Sequence, residues 1–108
     1  MINNETYKFY LQDLCTLLKE RAALAHLHRN ESEMDKGIVF GYHVVLSTIK
    51  NQFEAFGIDP KDLKMEDFNP DDLLYDKFNY PLSDSVIKSD ERGRKIAQEA
   101  VKKLNEDK

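Results

Sequence analysis

The sequence predicts an all-α protein, and two observations indicate that class. Apolar residues recur three and four positions apart over two long segments, which is the period of an amphipathic helix. Strand-like alternation is absent, because the short apolar runs 38–40 and 44–46 fall within the longer helical period. We therefore expect a long antiparallel helical hairpin over 5–56, an irregular cover with short helical turns over 57–82, and a C-terminal helix over 83–106.

Length and composition limit the class of protein further. The 108 residues predict a single domain with a modest core. The chain is 41% hydrophobic and 33% charged, which is typical of an ordinary soluble protein. Its net charge is −4, with basic and acidic residues interspersed, so phosphate backbones would repel it and we expect no nucleic-acid partner.

The sequence also predicts a cytoplasmic protein without a membrane partner. Residues 1–10 lack the basic stretch and apolar run of a signal peptide. No apolar segment approaches the roughly 18 residues that a membrane span needs. Cys15 is the single cysteine, so no intrachain disulfide can form and a reducing compartment is expected.

The first helix is predicted over about residues 5–28. Asn4 is a suitable N-cap, and Glu5 is favourably placed against the helix dipole. The segment His28–Glu31 offers a break, although neither glycine nor proline marks it. The apolar positions of this helix are Tyr7, Tyr10, Leu11, Leu14, Leu17, Leu18, Ala22, Leu24, Ala25 and Leu27.

The second helix has the clearest start and stop in the chain. Ser32 can cap it, and Asp35 approximates a capping box. Gly57 can take the left-handed conformation after the last turn, and Pro60 prevents continuation. The predicted apolar face is formed by Met34, Ile38, Tyr42, Val45, Ile49, Phe53 and Phe56.

Gly37 and Gly41 lie four residues apart within this second helix. In an antiparallel hairpin they would lie near Ala25 and Ala22, so small residues would face small residues and the backbones could approach closely. Each glycine costs about 1 kcal/mol of helix propensity, which such packing would offset. The alternative is that the glycine groove, with Tyr42 beside it, admits a ligand or a partner chain.

Residues 59–81 are predicted to cover one side of the hairpin. Asp59-Pro60 and Asn69-Pro70 each place a capping residue before a proline, which predicts helical turns at about 60–64 and 70–76. The segment carries too many large apolar residues for a disordered linker.

The C-terminal helix is predicted to dock lightly or at an interface. Ser83 or Ser89 would cap it. Its apolar stripe is narrow and rich in small residues: Gly93, Ile96, Ala97, Ala100, Val101 and Leu104. Since two long helices bury poorly against one light helix, we expect a symmetric homodimer with a four-helix-like core.

The strongest candidate for chemistry is the pair Cys15 and His43, which the hairpin would bring near each other. A Cys–His pair can make a nucleophilic thiolate, so a small ligand-binding protein or enzyme is one hypothesis. However, Cys15 follows Leu11 and Leu14, where a free cysteine is expected to be buried and inert.

Metal and cofactor chemistry is not expected. His26 and His28 are two residues apart, so a helix would point them to different faces and leave them at a solvated end. No phosphate loop, dinucleotide fingerprint or nucleophile elbow occurs. We therefore predict no catalytic residue, no metal and no cofactor.

The predicted function is that of a small non-enzymatic interaction protein, an adaptor, regulator or inhibitor that binds another protein, itself, or both. One candidate surface is the glycine groove with Tyr42. The other interleaves acids with aromatic residues, namely Asp67, Phe68, Asp71, Asp72 and Phe78. A third hypothesis is an acidic inhibitor of the immunity-protein type that occupies a basic cleft.

Overall fold

A computed structural model describes residues 4–106, and this part of the chain is all-helical without strands. The predicted class is therefore confirmed. Three α-helices form most of it, and two short 3-10 helices, η1 and η2, follow the second α-helix. Their bounds are α1 Asn4–Leu27, α2 Glu33–Phe56, η1 Pro60–Leu63, η2 Pro70–Leu74 and α3 Asp84–Glu106.

The ends of α2 follow the capping rules that the sequence predicted. The Ser32 hydroxyl accepts a hydrogen bond from the Asp35 amide at 3.1 Å and donates one to Asp35 Oδ2 at 2.7 Å. At the other end Gly57 has φ +66°, a left-handed conformation. The Ile58 amide then donates to the Phe53 carbonyl at 2.8 Å, which closes the last turn. These local contacts account for the helix bounds.

The two short turns are also confirmed at both proline sites. The Asp59 side chain accepts from the Lys61 amide, and the Asn69 side chain accepts from the Asp71 amide. Each cap starts one short 3-10 helix, and an irregular segment connects η2 to α3. Asparagine and aspartate side chains satisfy amides in this way at the start of a helix.

The core lies between α1, α2 and one side of the cover. Its largest fully buried side chains are Leu46 and Leu73. Burial of these groups is the main favourable contribution to folding. The other members of the buried cluster are Cys15, Ala22, Ala25, Val39, Phe53, Leu63, Met65 and Phe68.

The predicted close packing at the α2 glycines is wrong. Gly37 and Gly41 are exposed, and no atom lies within 4 Å of the position that a Cβ would take at either residue. The buried face of α2 instead carries Val39, Leu46 and Phe53, which are seven residues apart. This face buries three large side chains, more apolar area than a face with two glycines could offer.

Part of the predicted apolar face of α2 is therefore turned away from the core. Tyr42, Ile49 and Phe53 do pack in or against the core. The other predicted members, Met34, Ile38, Val45 and Phe56, remain exposed.

The cover is attached to α1 by three polar side chains spaced seven residues apart. Gln12 donates to the Asp62 carbonyl at 2.7 Å. Lys19 Nζ donates to the Lys64 carbonyl. His26 Nε2 lies 2.9 Å from the Tyr75 carbonyl. Residues seven apart share one helix face, so this side of α1 lies under the cover from Gln12 to His26.

His26 therefore differs from its predicted place at a solvated helix end. It is buried, and its ring packs on Phe78 with centroids 4.8 Å apart. His28 does lie at the helix end, where its Nδ1 contacts the Glu31 carboxylate at 2.9 Å. The tertiary contact with the cover, which local sequence does not encode, accounts for the difference.

Helix α3 docks lightly, as predicted. None of its residues is buried. Ser83 caps it by accepting from the Val86 amide at 3.3 Å. Two contacts link it to the region where α1 gives way to α2. Arg94 forms an ion pair with Asp35 in the first turn of α2 at 3.4 Å, and Asp90 lies 3.5 Å from the His28 ring. The molecule is consequently open, with a radius of gyration of 16.4 Å against about 13 Å for a compact chain of this length.

Candidate interaction site

The side of α1 that faces away from the cover carries an exposed apolar stripe. Tyr7, Tyr10, Leu14 and Leu17 follow each other at intervals of three, four and three residues, and all four are exposed. This is the spacing of a helix seam that packs against another helix. We call these residues, together with Val45 of α2, the open face.

Helix α2 contributes to the same side of the hairpin. Ile38 and Val45 are seven residues apart and exposed. Ile38 shares a groove with Leu17 and Leu24 of α1, so the exposed stripes of the two helices lie on one side. The first half of α3 crosses this groove, which leaves the half of the open face that is distant from the α1–α2 turn uncovered.

A second groove, of about 740 Å³, separates the start of α2 from the second half of α3. Met34 and Ile38 line one wall, and Ala97 and Val101 line the other. Arg94 lies at its edge, where its pairs with Asp35 and Asp90 occupy the guanidinium. The Ser32 hydroxyl and then Arg94 lower the pKa of the Asp35 carboxyl, so this ion pair persists in mild acid.

The predicted acidic and aromatic surface is split by the fold. Phe68 is buried, and Phe78 packs partly against the core, with the two rings edge to face at 6.0 Å. The carboxylates point outward. Asp67 lies 3.8 Å from Lys19, and Asp71 contacts His43 at 2.9 Å. The aromatic members thus hold the cover on the hairpin, while Asp72 and its neighbouring acids form the surface.

The structure does not join Cys15 and His43 by a hydrogen bond. His43 Nε2 contacts Asp71, and within the described residues its buried Nδ1 has no partner. Cys15 is 3% exposed. Burial raises the pKa of its thiol, and the nearby Lys19 charge offsets this only in part. A protonated, enclosed thiol is a poor nucleophile.

Helical spacing alone could have found the open face but not the polar contacts beneath the cover. The stripe is visible in the sequence as apolar positions of the first helix at intervals of three and four residues. Lys19 and His26 gave no signal, because nothing in their neighbourhood distinguishes a buried cation or imidazole from a solvated one.

Among residues 4–106, no cluster of histidine, cysteine and acidic side chains could hold a metal ion. In the same range no helix is both long and apolar enough to cross a membrane. The fold and the site define a helical protein with a covered side and an uncovered apolar side. The chain matches no protein-family model, no curated protein and no solved structure.

Proposed function

We propose that this is a non-enzymatic interaction protein that binds other protein chains through the open face. The observation that carries the proposal is the run of exposed apolar side chains on the uncovered side of the hairpin. Monomeric proteins rarely expose contiguous apolar patches of this kind, and such patches are typical of protein interfaces. The partner is another protein, and a second copy of the chain belongs to that class.

The chemistry of the patch supports a protein as its occupant. Tyrosine and leucine predominate, and tyrosine is enriched in the centre of protein interfaces. Burying apolar surface contributes about 25 cal/mol per Å² to binding. A partner helix that packs along this stripe would therefore be held by apolar burial, which requires no polar or catalytic group.

The Cys15–His43 hypothesis has less support. Its nucleophile is enclosed, and burial raises the pKa of the thiol and favours the protonated form.

The acidic-inhibitor hypothesis stays a prediction. Asp67 and Asp71 are exposed as it requires, but each already pairs with a cationic or imidazole group of the same chain.

A position-specific photo-crosslinking experiment tests the proposal. Tyr10 and Phe9 are adjacent aromatic residues of α1, 64% and 63% exposed, but only Tyr10 lies on the open face. Each is replaced in turn by a photoreactive phenylalanine analogue in the full chain, and adducts formed in the cells that express it are identified by mass spectrometry. We expect a protein adduct at position 10 that position 9 does not give.

Two results would contradict the proposal. Equal adducts at both positions would show that contact is unspecific. The absence of adducts at both positions would show that the open face meets no protein.

A further inference from the structure

We infer that the open face is the interface of a symmetric homodimer, in which α1 of one chain packs antiparallel on α1 of a second copy about a two-fold axis at Leu14. This inference rests on the proposed function and names its partner. Three observations carry it: the amount of exposed surface, the symmetry of the α1 stripe about Leu14, and the position of the exposed Arg21, which continues the stripe one turn beyond Leu17.

The exposed surface exceeds that of a compact monomer. The accessible surface is 8281 Å². A folded monomer of 12.6 kDa is expected to expose about 6,200 Å². A stable interface takes about 800 Å² from each partner. The excess, about 2,000 Å², covers this requirement even though the lightly docked α3 accounts for part of it.

The stripe on α1 has the same spacing in both directions from Leu14. Leu11 and Leu17 lie three residues away on either side, and both are exposed. A two-fold axis through Leu14 would therefore place Leu11 of one chain opposite Leu17 of the other, and Tyr10 beside Leu18, which is half-buried against its own core. A closed, isologous interface requires this self-complementarity, whereas an interface with an unrelated chain does not.

The ends of the stripe match as well. Tyr7 and Arg21 lie seven residues on either side of Leu14, and both are exposed. The same axis places the Arg21 guanidinium of one chain against the Tyr7 ring of the other. A cation over the face of an aromatic ring is a favourable contact. The Arg21 charge would thus acquire a partner through dimerisation.

Helix α3 does not prevent this arrangement. It borders the groove beside Leu17 and Arg21, yet Leu17 remains 45% exposed and Arg21 is exposed. The half of the stripe from Tyr7 to Leu14 is free of α3. The axis would place Tyr7 and Leu11 of the second copy beside Leu17 and Arg21, at the edge of the groove that α3 lines.

Sedimentation equilibrium of the full chain tests the stoichiometry. We expect twice the chain mass of 12.6 kDa at micromolar concentration. Tyr10→Glu should raise the dissociation constant by about tenfold or more, because it buries a charge in the interface. Phe9→Glu is the matched control and should leave the dimer unchanged. A wild-type mass of 12.6 kDa, or equal effects of the two variants, would overturn the inference.

Disulfide trapping tests the geometry. The test uses Leu14→Cys in a Cys15→Ala background. A cysteine at position 14 would lie on the two-fold axis, with its Cβ close enough to the equivalent Cβ of the second copy for a disulfide, which spans roughly 4 Å between Cβ atoms. We expect a covalent dimer on mild oxidation, and Phe9→Cys should give several-fold less. A dimer that position 14 does not trap better than position 9 would overturn the two-fold axis at Leu14.

These results separate the inference from the proposed function. A monomeric chain whose position 10 crosslinks to a different protein would remove the homodimer while the interaction function remains. A chain that crosslinks to nothing at position 10 would remove both.

Discussion

At the residue scale, Cys15 is shielded rather than activated. It is the only cysteine, and it lies in the core among the side chains that join α1 to α2. Burial raises the pKa of the thiol, so the neutral form predominates in the folded chain at pH values where an exposed cysteine begins to ionise. Its role is that of a small apolar residue that fits between two helices.

We expect native Cys15 to be unreactive toward a thiol reagent. With dithionitrobenzoate at pH 8, labelling should proceed only as fast as the protein unfolds, and urea should accelerate it to the rate of a free cysteine. Absorbance at fixed reagent concentration measures both rates. Rapid labelling without urea would show an exposed or activated thiol and would revive the Cys15–His43 hypothesis.

The same thiol makes stability fall at alkaline pH. The unfolded thiol ionises near pH 8.5, before the folded one, so the unfolded state loses its proton first and the free energy of unfolding decreases as the pH rises above that value. Urea titrations at pH 7.5 and 9.5 measure the change. Cys15→Ala should reduce the slope, and the remainder includes Tyr80, whose phenol pKa is also raised by burial.

Lys19 is the second residue whose environment the fold creates. The side chain is 6% exposed, and its ammonium group donates to the Lys64 carbonyl, lies 3.8 Å from Asp67 and lies 5.8 Å from the centre of the Tyr80 ring. A buried ammonium group is tolerated only with such partners. Lys19 thus connects α1 to the segment between η1 and η2.

Lys19→Met should lower the free energy of unfolding by about 1–2 kcal/mol, because a hydrogen bond from a charged donor is lost while the stem still packs. Urea denaturation measures it. Lys8→Met, an exposed lysine of the same helix, is the control and should change stability by less than about 0.5 kcal/mol. Equal stability of the two variants would mean that burial of the ammonium group cancels the gain from its contacts.

At the scale of elements, the orientation of α2 decides what its glycines do. Both exposed glycines lie in the helix interior, and both Cβ positions would be in open space. Gly57 differs, since its φ of +66° ends the helix in a conformation that a side chain disfavours. The same residue type is therefore replaceable at one site and required at the other.

Gly37→Ala should raise the free energy of unfolding by about 0.5–1 kcal/mol, because alanine restricts the unfolded chain and meets no neighbour. Gly57→Ala should lower it by about 1 kcal/mol or more, because the left-handed backbone is strained with a Cβ. Thermal and urea denaturation of the pair measure both signs. A loss of stability in Gly37→Ala would indicate that another helix approaches α2 closely after all.

At the scale of the whole molecule, the two sides of the hairpin are covered to different extents. One side receives η1, η2 and the buried aromatic residues of the cover, and the other receives only part of α3. The two helices are 24 residues long each, and the described residues cover one side of them more fully than the other. The proposed association with a second chain would cover the exposed side.

The stability of the protein should therefore depend on its concentration. If folding and dimerisation are coupled, a hundredfold increase in protein concentration stabilises the dimer by about 2.7 kcal/mol. The urea midpoints at protein concentrations of about 0.5 and 50 µM, which are a hundredfold apart, measure this effect. The Tyr10→Glu variant should show a weaker dependence, because its dimer dissociates more readily. A wild-type midpoint that is independent of concentration would show that the monomer accounts for the full stability.

The sequence by itself determined the helices, because their causes are local. Capping by Ser32, the glycine stop at position 57 and the proline-led turns after Asp59 and Asn69 all act within a few residues. Apolar residues three and four apart likewise determine that α1 and α2 are helices. These signals are short-range, so they can be read without knowing what packs against what.

Only the tertiary structure decided which apolar face became the core. Helix α2 has several apolar faces, and the cover selected the one with Val39, Leu46 and Phe53 while leaving Gly37 and Gly41 exposed. The burial of Lys19 and His26 has the same origin, since each bonds to a carbonyl more than 40 residues away. Such contacts depend on the summed fit of distant segments, which no local pattern records.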